Sequence, residues 1–234
     1  MNALSRELLT ELAWALQSCD SDHRVRVMIL TGAGRAFCAG LDLKELGSGG
    51  ADIGKNTVSD GKDPSSVMSR LRKPVIGAIN GAAVTGGFEM ALACDVLIAS
   101  TAARFADTHA RVGLASSWGL SQKLSRAVGI YRAREISLAS RWVSAEQAAA
   151  WGFVNQVVAP DQLLSAALAM ATDMLAAQPG MLERYKSIID DGFALPFGEG
   201  MQLERQRASA FNATVSSADI EARREAVSER NRST

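Results

Sequence analysis

Apolar positions recur at helical spacing near the start of the chain. In "SRELLTELAWALQSC" (5–19), Leu8, Leu9, Leu12, Leu16 and Cys19 share one face behind Ser5, a residue suited to capping a helix. The rhythm then changes. "VRVMILT" (25–31) is rich in β-branched residues and runs into the turn-rich "GAGRAFCAG", which predicts a strand entering a loop. "LDLKEL" predicts one or two helical turns. "PSSVMSRLR" reads as a helix, "PVIGAIN" as a second buried strand, "GGFEMALAC" as a short helix and "DVLIAS" as a third strand. Strands alternating with helices predict an α/β domain with largely parallel strands.

From about residue 116 the pattern is mostly helical. "SAEQAAAWGFVNQVV" (144–158) predicts one helix closed by Gly152 and a last short strand. "PDQLLSAALAMATDMLAAQ" opens on Pro160 and Asp161, a good helix start, and three further helices are expected at about 179–190, 198–213 and 218–230. The resulting division is an α/β core over 1–175 and a helical region over 176–234. Residues 47–63, "GSGGADIGKNTVSDGKD", lack periodicity and read as a long loop of the kind that forms a lid or stays disordered.

Composition narrows the partners. The 25 basic and 25 acidic residues cancel and no long basic run occurs, so neither nucleic acid nor an anionic membrane is the expected partner. The longest uncharged run, 74–88, is too short and too rich in glycine to span a bilayer. Arg6, Glu7 and Glu11 interrupt any secretory apolar segment, and the terminal "NRST" is not a peroxisomal address of the S-K-L type. Cys19, Cys38 and Cys94 are an odd number without metal-ligand spacing, which predicts reduced thiols in a soluble intracellular protein.

Candidate chemistry centres on "NGAAVTGGFEM" (80–90). No charged side chain stands between Lys73 and Glu89, and a carboxylate in so apolar a setting is expensive to bury without a partner or a task. Glycines just before a helix leave main-chain N–H groups unblocked, and the helix dipole favours an anion there. Two such places follow apolar strands, "FCAGLDL" and "VTGGFEM". Paired N–H groups would stabilise an enolate or tetrahedral oxyanion, with Glu89 beside it as general base. Ordinary turn geometry is the alternative for these glycines taken alone.

Together, "LTGAGRAFCAGLDLKEL", "RKPVIGAINGAAVTGGFEMALACDVLIAS", "ARFADTHARVGL" and "SAEQAAAWGFVNQVV" resemble the enoyl-CoA hydratase/isomerase (crotonase) superfamily from "MNALS" to about residue 175. The resemblance implies a spiral of ββα units with a helical C-terminal region that builds trimers, often as dimers of trimers. It implies an acyl-CoA thioester as substrate, no cofactor, and an oxyanion hole made here by the N–H groups of Leu41 and Gly86. Ala39, Gly40, Asp42, Lys44 and Gly87 fall in the blocks that surround the substrate and CoA. A solvated fate is the commoner one for Lys44. Glu89 matches one of the two catalytic glutamates of family hydratases. A bacterial source implies the cytoplasm and a eukaryotic one peroxisomes or mitochondria, although no targeting signal is visible.

The chain departs from the family pattern in three places. Where hydratases carry a second glutamate, twenty residues after the first, this chain has His109 in "RFADTHARVG". Imidazole, with an unperturbed pKa near 6.5, can take over one proton-transfer role, or His109 can be a hydrogen-bonded scaffold residue. Asp107 either orients His109 or caps the next helix, and capping is the expectation. The next block, usually P-G-A-G-G-T, is "SSWGLS", so that Trp118 either reshapes the acyl pocket or is plain core. "DTHARVGL" with "SWGLSQKL" resembles a subgroup of actinobacterial and plant peroxisomal members usually labelled enoyl-CoA hydratases. Finally, "NAL" follows Met1 directly where relatives have about twenty residues before it, so missing first strands and an exposed sheet edge are expected. The expected reaction is hydration of a trans-2-enoyl-CoA. The alternatives are isomerisation or hydrolysis of another acyl-CoA, and acyl-CoA binding without catalysis.

Overall fold

A computed structural model describes residues 1–48, 63–218, 220–221 and 224. The expected lid over 47–63 therefore lies almost wholly outside the described residues, as does most of the helix expected at 218–230. Two compact units divide at residue 182, one of residues 1–182 and one of residues 183–234.

The first unit is built from two four-stranded sheets. Strands β1 (Met28–Thr31), β3 (Val75–Ile79), β5 (Val96–Ser100) and β8 (Gln156–Val158) form one in that order, all parallel. Strands β2 (Ala36–Cys38), β4 (Ala82–Val84), β6 (Arg104–Ala106) and β7 (Val143–Ser144) form the other, parallel except for the β6–β7 pair. Each turn of chain lays one strand in the first sheet and the next in the second, then enters a helix. These helices are α2 (Leu43–Ser48), α4 (Gly86–Leu92) and α5 (His109–Val112). Successive turns pair in parallel with the turn before, which makes the expected ββα spiral.

The strands of the second sheet are not found by reading residues alone. Ala36–Cys38, Ala82–Val84 and Arg104–Ala106 are three residues each, too short for an alternating pattern to show, and the first of them falls in the segment read as loop. The first-sheet strands are legible because β3 and β5 are almost wholly buried and therefore apolar throughout apart from the terminal Ser100.

Helix α1 (Arg6–Ser21) starts at Ser5, whose hydroxyl accepts the Leu8 N–H. Its far end is closed by Lys73, a buried lysine whose Nζ donates to the carbonyls of Cys19 and Asp22. Helix α3 (Pro64–Met68) leads into β3. After α5 come α6 (Leu120–Val128), α7 (Ile130–Ala139) and α8 (Ala145–Trp151), the last held by a reciprocal cap between Ser144 and Gln147. Helix α9 (Leu163–Leu175) lays Leu163, Ala167 and Ala171 against Ile76, Ala78 and Ile98 of the first sheet. The second unit contains most of α10 (Met181–Phe193) and all of α11 (Phe197–Asn212).

The core between the sheets is anchored by three aromatic rings. Phe88 of α4, Phe105 of β6 and Phe153 meet with centroids 5.2, 5.6 and 5.1 Å apart. Two of them sit beside the site in sequence, Phe88 directly before Glu89 and Phe105 four residues before His109. The three cysteines are free thiols, and burial pushes that of Cys38 up to about 11, an unreactive setting. Among the described residues, no helix is long and apolar enough to cross a membrane.

Candidate active site

Two main-chain turns meet at the start of α4. Gly40 has φ +90°, in the left-handed region, and a Cβ there would lie 2.9 Å from the Val84 carbonyl oxygen and 3.6 Å from the Gly86 nitrogen. Only glycine lets the two turns approach this closely. Gly87 is equally constrained, since a Cβ on it would lie 2.2 Å from the Cys38 carbonyl oxygen. Leu41 forms a parallel bridge with Leu4, in which Leu4 donates to the Gly40 carbonyl and Asp42 donates to the Leu4 carbonyl. In a parallel bridge of this kind the N–H of Leu41 itself points away from Leu4. The Gly86 N–H is the first of α4, without a partner inside the helix.

The rest of this loop is anchored by the first residues of the chain. Ala39 donates to the Met1 carbonyl, and the Asn2 amide donates to the carbonyls of Ala33, Ala36 and Phe37. Asp42 caps α2 by accepting the N–H groups of Lys44 and Glu45, and the Lys44 side chain is exposed.

Glu89 lies one turn along α4 from Gly86, about 4.5 Å farther up the axis. Its carboxylate is buried, with 3% of its side chain exposed. One oxygen, Oε1, accepts the N–H groups of Trp118 at 2.9 Å and Leu120 at 3.3 Å. Gly119 between them has φ +100°, the conformation that turns two flanking N–H groups toward one anion. Leu120 also opens α6, whose dipole adds partial positive charge. The other oxygen, Oε2, faces His109 Nε2 at 3.7 Å. Burial pushes the Glu89 carboxyl above the usual range, against the opposing pull of the Trp118 N–H, the His109 charge and the Leu120 N–H.

His109 is the first residue of α5 and is buried. Its Nδ1 lies 2.8 Å from Asp107 Oδ1, and its main-chain N–H donates to the same oxygen at 3.1 Å. Asp107 thus both caps the helix and holds the ring, where capping alone was expected. Burial works to raise the Asp107 carboxyl, but interactions with the His109 ring, the Ser137 hydroxyl and the His109 N–H outweigh it and hold it below the usual range.

A further pair ties the two halves together. Thr85, at φ +53°, is in a conformation rare for a β-branched residue. Its N–H donates to the Ala106 carbonyl, its Oγ1 meets the Thr108 hydroxyl, and that same Oγ1 accepts the Thr108 N–H at 3.2 Å. The Gly86 turn and the His109 turn are therefore stapled side by side.

Sequence reasoning missed the Thr85–Thr108 staple and the anion cradle of Trp118, Gly119 and Leu120. A glycine just before a helix in "SWGLS" was the available signal for the cradle. Trp118 itself is buried in the core, with its carbonyl accepting the Ser65 hydroxyl and its ring against Gly86.

The ββα fold that frames this site is matched among known proteins. The chain belongs to the enoyl-CoA hydratase/isomerase family, whose sequence profile matches residues 1–233. It is 49% identical over 212 residues to "Probable enoyl-CoA hydratase 1, peroxisomal" of Arabidopsis thaliana, covering 90% of this chain and 78% of that protein. It is 33% identical over 214 residues to the short-chain-enoyl-CoA hydratase of Clostridium acetobutylicum, covering 91% and 79%. A crystal structure of an enoyl-CoA hydratase from Bacillus anthracis superposes with a TM-score of 0.88 at 34% identity, covering 95% of this chain and 87% of that one.

Proposed function

We propose that the protein adds water across the double bond of a trans-2-enoyl-CoA to give the 3-hydroxyacyl-CoA. The observation that carries this reading is the buried Glu89–His109 pair, 3.7 Å apart, with Glu89 in the first turn of the helix that begins at Gly86. The N–H groups of Leu41 and Gly86 donate to the thioester oxygen and stabilise the enolate as charge develops on it. Removing one such donor costs about 3–4 kcal/mol of transition-state stabilisation.

Glu89 takes a proton from water as the oxygen bonds to Cβ. His109, as imidazolium, gives its Nε2 proton to Cα. Neutral imidazole and protonated Glu89 then remain side by side, and a proton passed from Glu89 to His109 restores both. The sum is one water added, with no cofactor and with the CoA thioester as substrate. Raising Glu89 suits a base working near neutral pH, since proton affinity rises with the pKa.

A silent acyl-CoA-binding role fits less well. Burying Glu89 is unfavourable, and a chain without catalysis would have no reason to keep it beside His109. We place Ala39, Gly40 and Gly87 along the thioester and Asp42 at the start of α2, where it holds the Lys44 segment facing the CoA end. Trp118 borders the acyl group at Gly86. Assembly into trimers or dimers of trimers belongs to the same proposal, as does residence in the cytoplasm of a bacterium or in the peroxisomes or mitochondria of a eukaryote.

The test is loss of the enoyl-thioester absorbance with purified protein over a series of chain lengths, and its loss in Glu89→Gln. A Glu89→Gln variant as active as the parent would remove Glu89 from the reaction.

A further inference from the structure

We propose that Asp107 is a positioning residue. It keeps the proton of neutral His109 on Nδ1, so that Nε2 is the nitrogen that faces Glu89 and exchanges a proton with the substrate. The inference deepens the proposed hydration and rests on His109 being its acid.

The argument starts from what a carboxylate can do. An ionised carboxylate only accepts hydrogen bonds, so an imidazole nitrogen 2.8 Å from Asp107 Oδ1 must carry the hydrogen. The same oxygen accepts the main-chain N–H of His109. One atom thereby fixes both the backbone and the ring of a single residue, leaving the ring no freedom to flip. Asp107, His109 and Glu89 are all buried, which keeps bulk water from offering the imidazole another partner.

At 3.7 Å, Nε2 and Glu89 Oε2 are too far apart for a direct hydrogen bond, so both remain able to hold a third group. During turnover the Nε2–H bond breaks as the Cα–H bond forms, and the Nδ1–H bond is untouched. Protonated Glu89 then returns a proton to Nε2 through a water held between them. With the opposite tautomer, neutral His109 would present Nε2–H toward Glu89 and could not receive that proton there. In Ser-His-Asp enzymes a buried carboxylate sets the tautomer in the same way.

The chain has only two histidines, so a full-length His23→Gln variant labelled with 15N-histidine reports His109 alone. Two-bond proton–nitrogen spectra of the neutral ring should show hydrogen on Nδ1. In Asp107→Asn the Nε2–H tautomer should appear, with kcat lower by ~10²-fold or more and KM changed by less than about 3-fold. An Nε2–H ring in the protein with Asp107 intact would overturn the proposal, and that spectrum suffices even should Asp107→Asn not fold. Unchanged kcat in a folded Asp107→Asn would also overturn it. The two failures separate cleanly. Full activity in His109→Gln removes the acid role of His109, whereas a wrong tautomer with inactive His109→Gln removes only the role of Asp107.

Discussion

Glu89 carries opposite consequences for activity and for stability. Its carboxyl is raised by burial, so its ionised form is disfavoured in the folded protein. A raised acid contributes stability that is fully present below its unfolded pKa, about 4.3, and lost as pH rises through the folded value. At pH 7 the charge therefore opposes folding. Glu89→Gln keeps an oxygen for the Trp118 and Leu120 N–H groups while removing that charge. It should lower kcat by ~10²–10⁴-fold yet leave the melting temperature at pH 7 unchanged or higher, as thermal denaturation of the two proteins can show. The same shift sets the acid limb of the pH–rate profile. As pH falls, kcat/KM should drop at a pH above the ordinary carboxylate range, and an acid limb near 4 would contradict the burial argument. Asp107 has the opposite sign. Its lowered carboxyl contributes stability above its unfolded pKa that is lost as pH falls through the folded value. The gap in melting temperature between the parent and Asp107→Asn should therefore narrow as the solution is acidified.

At the scale of elements, the site depends on two turns brought together by glycine and then stapled. Gly40→Ala would force a left-handed alanine, costing about 1–2 kcal/mol, and would press its Cβ toward the Val84 carbonyl and the Gly86 nitrogen. Activity should fall further than that stability loss explains, because the proposed pair of oxyanion donors would be spread. Measuring kcat/KM and denaturation on the same preparation separates the two effects. Thr108→Val removes the hydroxyl partner of Thr85 and should reduce kcat while the fold persists.

These elements also show what the chain discloses before any coordinates. The strand–glycine–helix blocks around Leu41 and Gly86 and the lone carboxylate at Glu89 stood out because their chemistry is local in sequence. The cradle at Trp118 and Leu120 lies 29 and 31 residues from Glu89 and acts through main-chain N–H groups, which leave no mark on side-chain identity. Asp107 was visible, but whether it capped a helix or held a ring depended on where the imidazole pointed. Both proved true of one oxygen atom.

For the whole molecule, the ββα spiral explains why distant segments share a site. Each turn of chain pairs in parallel with the one before, so equivalent ends of successive turns fall side by side, and β4 and β6 deliver Gly86 and His109 to the same edge. The aromatic cluster fixes those turns. Phe105→Ala should destabilise the protein by about 3–5 kcal/mol, read from chemical denaturation, because Phe88 and Phe153 both lose a packing partner.

The central claim is that Glu89 and His109 add one water across a conjugated double bond. Turnover of a 2-enoyl-CoA in 18O-labelled heavy water, followed by mass spectrometry of the product fragments, reads this most directly. The account predicts one labelled oxygen on Cβ and one deuterium on Cα, with the thioester intact. Labelled oxygen in a released carboxylate, or deuterium incorporated without oxygen, would contradict it.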